Sequence, residues 1–275
     1  MTYRHPDFVL VSVPRSGSTW LQLALNGHPS LCCEGELLAI HSCACSLARL
    51  MPPFFRKAHQ SVGSMHGQAR LPWRRLTRLL NRSFGYCQYY ARGNRLPLLF
   101  QEGLVPASAD RQLHGFKVMR LHLLRFGEEL LEYFREHCQF QITLVRENLL
   151  KRWISHFIAV HTMKFSSSER PSLRKKKWHI PVREMITGLS EFKCHQNEMK
   201  SFSLGKSNME ISYEDLRADS NSAWKELCEF LEVSLVPLPN VASYKQNPER
   251  VSEIVSNYDE CADALRGSEF ECFLD

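Results

Sequence analysis

The chain has 275 residues, 44% of them hydrophobic and 23% charged, with 13 Gly and 13 Pro; it holds enough apolar material for a sizeable core and is not a collagen-like, linker-like or disordered chain. No run approaches the roughly 18 apolar residues that cross a bilayer, and the opening Phe8–Val13 run is too short for a secretory signal and meets Pro14-Arg15 at once, so a soluble, cytoplasmic chain is expected. The net charge of +6 is uneven: Leu37 to Gln101 holds no Asp or Glu and ten basic residues, among them Arg74, Arg75 and Arg78, and a second basic cluster runs from Arg170 to Lys177, a pattern that suits an anionic partner, a membrane surface or a solvated helical face.

In chain order, short β-branched apolar runs predict strands over Phe8–Val13, Ser30–Cys33, Gly115–Met119, Phe140–Val145 and Met209–Ser212. Apolar residues at three- and four-residue spacing predict helices over Trp20–Leu25, Leu121–Arg135, Leu149–Val160 and Ala223–Leu231. Such alternation favours an α/β fold with a parallel sheet covered by helices on both faces. The region from about 41 to 112 fits the pattern poorly and reads as a helical insertion within one domain spanning 1–275. The ten cysteines include no Cys-x-x-Cys pair and no zinc-finger spacing; reduced thiols and no metal site are expected.

The most informative segment is Val9-Leu10-Val11-Ser12-Val13-Pro14-Arg15-Ser16-Gly17-Ser18-Thr19-Trp20-Leu21. A buried strand runs through a loop of small hydroxyl residues straight into an amphipathic helix. Backbone N–H groups of the loop and first helical turn then converge, the helix dipole adds partial positive charge, and Gly17 allows close approach. Ser16, Ser18 and Thr19 add hydroxyls, and Arg15 adds a permanent planar cation. Neither Gly-x-x-x-x-Gly-Lys-Ser/Thr nor Gly-x-Gly-x-x-Gly is present, so the usual nucleoside-triphosphate and dinucleotide loops are excluded.

Pro14 to Trp20 resembles the 5′-phosphosulfate loop of sulfotransferases that use 3′-phosphoadenylyl sulfate (PAPS). The resemblance implies a P-loop-like α/β fold, PAPS as co-substrate and 3′-phosphoadenosine 5′-phosphate (PAP) as product. It also implies a 3′-phosphate site made by an Arg at a strand end and a Ser on the next helix. Arg146 follows Phe140–Val145 in this way. If Asn148 caps the helix, Arg152 and Ser155 fall on one side of it. The nine positions from Arg146 to Ser155 are similar to the spacing in bacterial carbohydrate sulfotransferases (nodulation-factor and trehalose sulfotransferases). Cys33-Glu34-Gly35-Glu36-Leu37-Leu38, Gly115-Phe116-Lys117, Tyr213-Glu214-Asp215-Leu216 and Lys245 to Tyr258 resemble that branch too. The Arg-Lys-Gly segment of cytosolic relatives has no match, and Lys245 is the substitute considered for it.

By this resemblance Trp20 and Tyr213 lie near adenine, and Glu36 is the general base that takes the acceptor's proton. His122 is the fallback, because cytosolic relatives use a His, and Glu34 is a weaker carboxylate rival. Arg15 stands where cytosolic relatives have Lys; an Arg does not give up a proton readily, so its role is electrostatic. The expected acceptor is a hydroxyl of a small molecule, glycan or glycolipid, with no nucleic acid. Two other readings stay open: a Mg²⁺-ATP-dependent small-molecule kinase with an atypical phosphate loop, and a non-catalytic protein that binds anionic polymers.

Overall fold

The computed structural model describes residues 3–36, 38, 105–106, 110–162, 177–241 and 250–275. Its centre is a five-stranded parallel sheet of β2 (Phe8–Ser12), β3 (Leu31–Glu34), β5 (Leu113–Met119), β6 (Phe140–Val145) and β7 (Ser207–Ser212), in the order β3-β5-β2-β6-β7. Two short strands, β1 (Tyr3–Arg4) and β4 (Val105–Pro106), pair antiparallel beside it. The parallel α/β fold read from the sequence is therefore the fold observed, with strand limits shifted by two residues at most.

The strand at the middle shows why. Every residue of β2 is buried, and its side chains alternate between two cores, as a period of two requires. Val9 and Val11 join Phe116, Val118, Leu130 and Phe134 on one face. Phe8 and Leu10 join Leu21, Leu25, Ile142, Leu144, Trp224 and Leu227 on the other. The first core is closed by α2 (Arg120–His137), the second by α1 (Ser18–Gly27) and α6 (Ser220–Phe230), which follows the short α5 (Tyr213–Ala218). The predicted stripe Ala223, Trp224, Leu227, Cys228 and Leu231 is wholly buried.

A third core joins α3 (Leu149–Thr162), α4 (Val182–Ser201), α7 (Val251–Ile254) and α8 (Tyr258–Leu265). Helix α4 is absent from the sequence reading. It packs on α3 so closely that a Cβ at Gly188 would lie 1.9 Å from Trp153 Nε1. Ala in place of a mid-helix Gly gains about 1 kcal/mol of propensity, but the rigid, buried indole cannot move aside. Gly188→Ala is therefore expected to destabilise by about 1–3 kcal/mol net, read as a lower urea midpoint with unchanged slope.

One other sequence reading needs correction. The stripe expected to make one helix of Leu121–Arg135 is broken at Gly127 (φ 62°, ψ −149°), a conformation open essentially to Gly alone, so α2 is two helical pieces across a kink. The helical insertion expected over about 41 to 112 lies outside the described residues except for the two-residue β4 and residues 110–112, and 163–176 and Lys245 lie outside them too. No described helix is long and apolar enough to cross a membrane.

Candidate active site

Parallel strands deliver their successors to one edge of the sheet, the edge where ligands of open α/β folds bind. The loop after β2, Glu36 after β3, His122 after β5, Arg146 after β6 and Tyr213 after β7 all leave from that edge.

The loop after β2 is shaped by its backbone. Gly17 is the N-cap of α1 at φ 91°, ψ 8°, and no side chain caps the helix. Arg15 also has a positive φ of 67°, which costs an L residue about 1–2 kcal/mol. Left-handed positions in a turn line up N–H groups into an anion-binding concavity. The surroundings hold this conformation in place: Arg146 Nη1 donates to the Arg15 carbonyl at 3.0 Å and Arg152 Nε to the Pro14 carbonyl at 3.2 Å. Ser16 is fully buried and donates its hydroxyl to the Val13 carbonyl at 2.9 Å. Its hydroxyl is thus committed to the loop's own structure. Ser18 is buried in the first helical turn, whereas Thr19 is exposed.

Side chains from three other elements close on this loop. Arg15 Nε donates to Ser155 Oγ at 3.0 Å, which joins the two phosphate segments that the sequence treats separately. Tyr213 lies against the loop, so that a Cβ at Gly17 would fall 2.5 Å from Tyr213 Cδ2. The Arg146 guanidinium sits 4.9 Å from the centroid of the same ring, within cation–π range. Asn148 does cap α3, its Oδ1 accepting from Lys151 N at 2.8 Å. Glu214 stands in front of it, accepting from the N–H groups of Glu147 and Asn148 at 2.9 and 3.2 Å, a carboxylate at a helix N-terminus.

The electrostatics point one way. Burial and then Arg146 lower the Arg15 pKa; burial lowers that of Arg146 against the raising influence of Tyr213 and Glu214. Both guanidinium groups remain cations at neutral pH. Arg146 is 8% exposed, and its Nε is buried without a hydrogen-bond partner among the described residues. A buried orphan donor of this kind carries a desolvation cost until an acceptor arrives. Two cations and an unpaired donor beside a left-handed loop suit a phosphorylated ligand.

The carboxylate lies on the other flank. Glu36 Oε1 is 2.9 Å from Lys117 Nζ; the lysine side chain is 8% exposed and that of Glu36 38%. Lys117 also donates its N–H to the Gly35 carbonyl at 3.2 Å, and Asn26 of α1 brackets Cys33 through both its N–H and its carbonyl at 2.7 Å. Glu36 is thus carried on a strand end pinned from both sides. His122 is buried and its Nδ1 accepts from Met119 N at 3.1 Å in the capping box of α2, so that nitrogen is not available as a base. Glu34 Oε1 is approached by Cys32 Sγ at 3.9 Å.

A family model described as the sulfotransferase domain matches residues 5–259. The chain belongs to this family. Sulfuryl transfer is accordingly the reaction of this sulfotransferase, and PAPS, the donor that the loop motif points to, is its co-substrate. No curated protein sequence matches it. Among solved structures, a sulfotransferase from Alicyclobacillus acidocaldarius is 14% identical with TM-score 0.44, covering 95% of this chain and 93% of that one. The sulfotransferase domain from the curacin biosynthetic pathway is 18% identical with TM-score 0.43, over 86% and 77%. Mouse sulfotransferase SULT7A1 complexed with PAP is 11% identical with TM-score 0.42, over 99% and 88%.

Within this sulfotransferase, Arg15, Ser16, Gly17, Ser18, Arg146, Ser155 and Tyr213 come together as one cluster. Trp20, half-buried, packs on the core beneath α1. Arg152 departs from the sequence reading: in place of a phosphate-facing stripe with Ser155, it turns inward and is 1% exposed. Lys117, Glu214, Asn26 and Gln196 were not singled out as site residues. A lysine inside a buried strand was the available signal for Lys117, and the Tyr213-Glu214-Asp215-Leu216 run for Glu214; for Asn26 and Gln196 the sequence holds none.

Proposed function

We propose that this sulfotransferase moves the sulfuryl group of PAPS to a hydroxyl of a carbohydrate or glycolipid, in the manner of the bacterial carbohydrate branch. The observation that carries the donor half is the orphan Nε of buried Arg146 beside the Arg15–Ser155 pair. In this reading the loop N–H groups and Arg15 hold the 5′-phosphosulfate, while Arg146 and Ser155 hold the 3′-phosphate. Tyr213, fixed between Gly17 and Arg146, borders the nucleoside. Glu36 takes the acceptor's proton, oriented by Lys117, and Arg15 balances the negative charge that builds on the departing phosphate. The departing phosphate is stable as an anion, so none of these steps calls on a metal. The acceptor half is supported by the Gly35-Glu36 pair and by the nine-position spacing from Arg146 to Ser155.

Arg146→Ala should weaken PAP binding by about 30- to 150-fold, the scale of a lost charge-assisted contact of about 2–3 kcal/mol, measured by isothermal titration calorimetry. Unchanged affinity would remove the 3′-phosphate assignment. For the acceptor, radiolabelled donor is offered in parallel to oligosaccharides, glycolipids, phenols and steroids. Label on sugar hydroxyls is the expected result, and label confined to phenols or steroids refutes the carbohydrate reading.

A further inference from the structure

Arg152, on α3, is 1% exposed and lies beneath the nucleotide cluster. Its Nε donates to the Pro14 carbonyl at 3.2 Å, one residue before Arg15. Its Nη1 donates to Gln196 Oε1 at 2.9 Å and to the Phe192 carbonyl at 3.4 Å. The guanidinium also lies 4.4 Å from the centroid of the Phe192 ring. Gln196 Oε1 accepts a second hydrogen bond, from Arg146 N at 3.4 Å; both neighbours are donors, which identifies that atom as the amide oxygen. One buried side chain on α3, with one glutamine on α4, therefore spans from the phosphate loop to the strand-end arginine.

The chemistry of the partners is as informative as their positions. All of the hydrogen-bond partners named for Arg152 among the described residues are neutral: two backbone carbonyls and an amide. A buried guanidinium is ordinarily paired with a carboxylate, because taking an unpaired ion out of water costs several kcal/mol. Burial first, then Arg146, push the Arg152 pKa down to about 9, so it still carries its charge at neutral pH. A glutamine where a glutamate would neutralise it leaves that charge directed at whatever anion enters above.

We propose that Arg152 and Gln196 form a positioning strut of the nucleotide site, which sets the loop at Pro14 and the backbone of Arg146 and keeps the site's positive potential uncancelled. Resting on the reading of the cleft as the PAPS site, this adds two residues that do not touch the donor and yet set its affinity.

The test is Gln196→Glu, with PAP affinity by calorimetry and thermal midpoint of the nucleotide-free protein measured together. A carboxylate between Arg152 and Arg146 repels the ligand's phosphates through the same charges it neutralises. Affinity is expected to fall by roughly ten- to a hundredfold, the scale of one added charge at a partly buried site, while the midpoint does not fall. A purely structural glutamine would lose both together, and that outcome overturns the proposal, as does wild-type affinity. If the variant does not fold, Arg152→Lys decides: it keeps the charge but cannot bridge Pro14 and Gln196. Weaker PAP binding at an unchanged midpoint supports the strut, and unchanged binding overturns it. Wild-type protein that binds no PAP would instead overturn the donor assignment on which the strut rests.

Discussion

Glu36→Gln is expected to lower kcat by roughly 10²- to 10⁴-fold, the range for loss of a general base, with little change in PAP affinity. Glutamine keeps the shape and the approach of Lys117 Nζ, which lies 2.9 Å from Glu36 Oε1, but its amide cannot accept the acceptor's proton. The variant therefore isolates proton transfer from packing. Its binding control is equally informative, because Glu36 follows β3 whereas the loop and Arg146 follow β2 and β6, so nucleotide affinity has no reason to move. Initial rates at saturating PAPS and calorimetry with PAP read the two quantities separately. Near-normal turnover would pass the role to another group. His122 is poorly placed to take it, since its Nδ1 already accepts the Met119 N–H and a neutral imidazole then carries its proton on Nε2.

Arg15→Ala is expected to lower turnover by roughly 10²- to 10³-fold, by analogy with removal of one oxyanion-hole donor. The effect should fall on kcat more than on the Kd for PAP, because Arg146 and the loop N–H groups remain to bind the ground state, whereas charge on the departing phosphate grows only in the transition state. Arg146 lies close enough to lower the pKa of the partly buried Arg15, so the loss of Arg15 relieves a repulsion in the nucleotide-free protein. Its thermal midpoint should consequently hold while its activity collapses. Arg15→Lys serves as the control for charge without the planar fork. Full activity in Arg15→Ala, with PAP still bound, would remove Arg15 from the chemistry.

The parts of this molecule that could be read in advance are those that contiguous residues decide. The central strands stand out because burial on both faces favours apolar, β-branched residues: β2 runs Phe-Val-Leu-Val before Ser12, and β6 is interrupted only by Gln141 and Thr143, which bond to each other. Helix α4 was missed although Met185, Gly188, Leu189, Gln196 and Met199, its buried residues, fall at helical spacing. Two of these five are not apolar: Gly188 is there because Trp153 leaves room for nothing larger, and Gln196 because it holds Arg152 and Arg146. Each choice depends on a side chain 35 or more residues away, and each weakens the local pattern. The break at Gly127 was hidden for the converse reason, since the apolar stripe resumes on the far side of the kink.

The same division holds for the site. The chain itself determined a strand, a glycine-centred loop and a helix in succession, because a cradle of backbone N–H groups needs only neighbouring residues to form it. The sheet order β3-β5-β2-β6-β7 decided what meets across the strand ends: Ser155 on Arg15, Tyr213 on Gly17 and Arg152 under Pro14 at the loop, and Lys117 on Glu36 on the other flank. A helix read by itself does not say which of its polar residues will face a ligand and which will be buried beneath it. Arg152 and Ser155 share one side of α3, and only the packing of α4 and the loop around them separates the arginine that reaches Pro14 and Gln196 from the serine that meets Arg15.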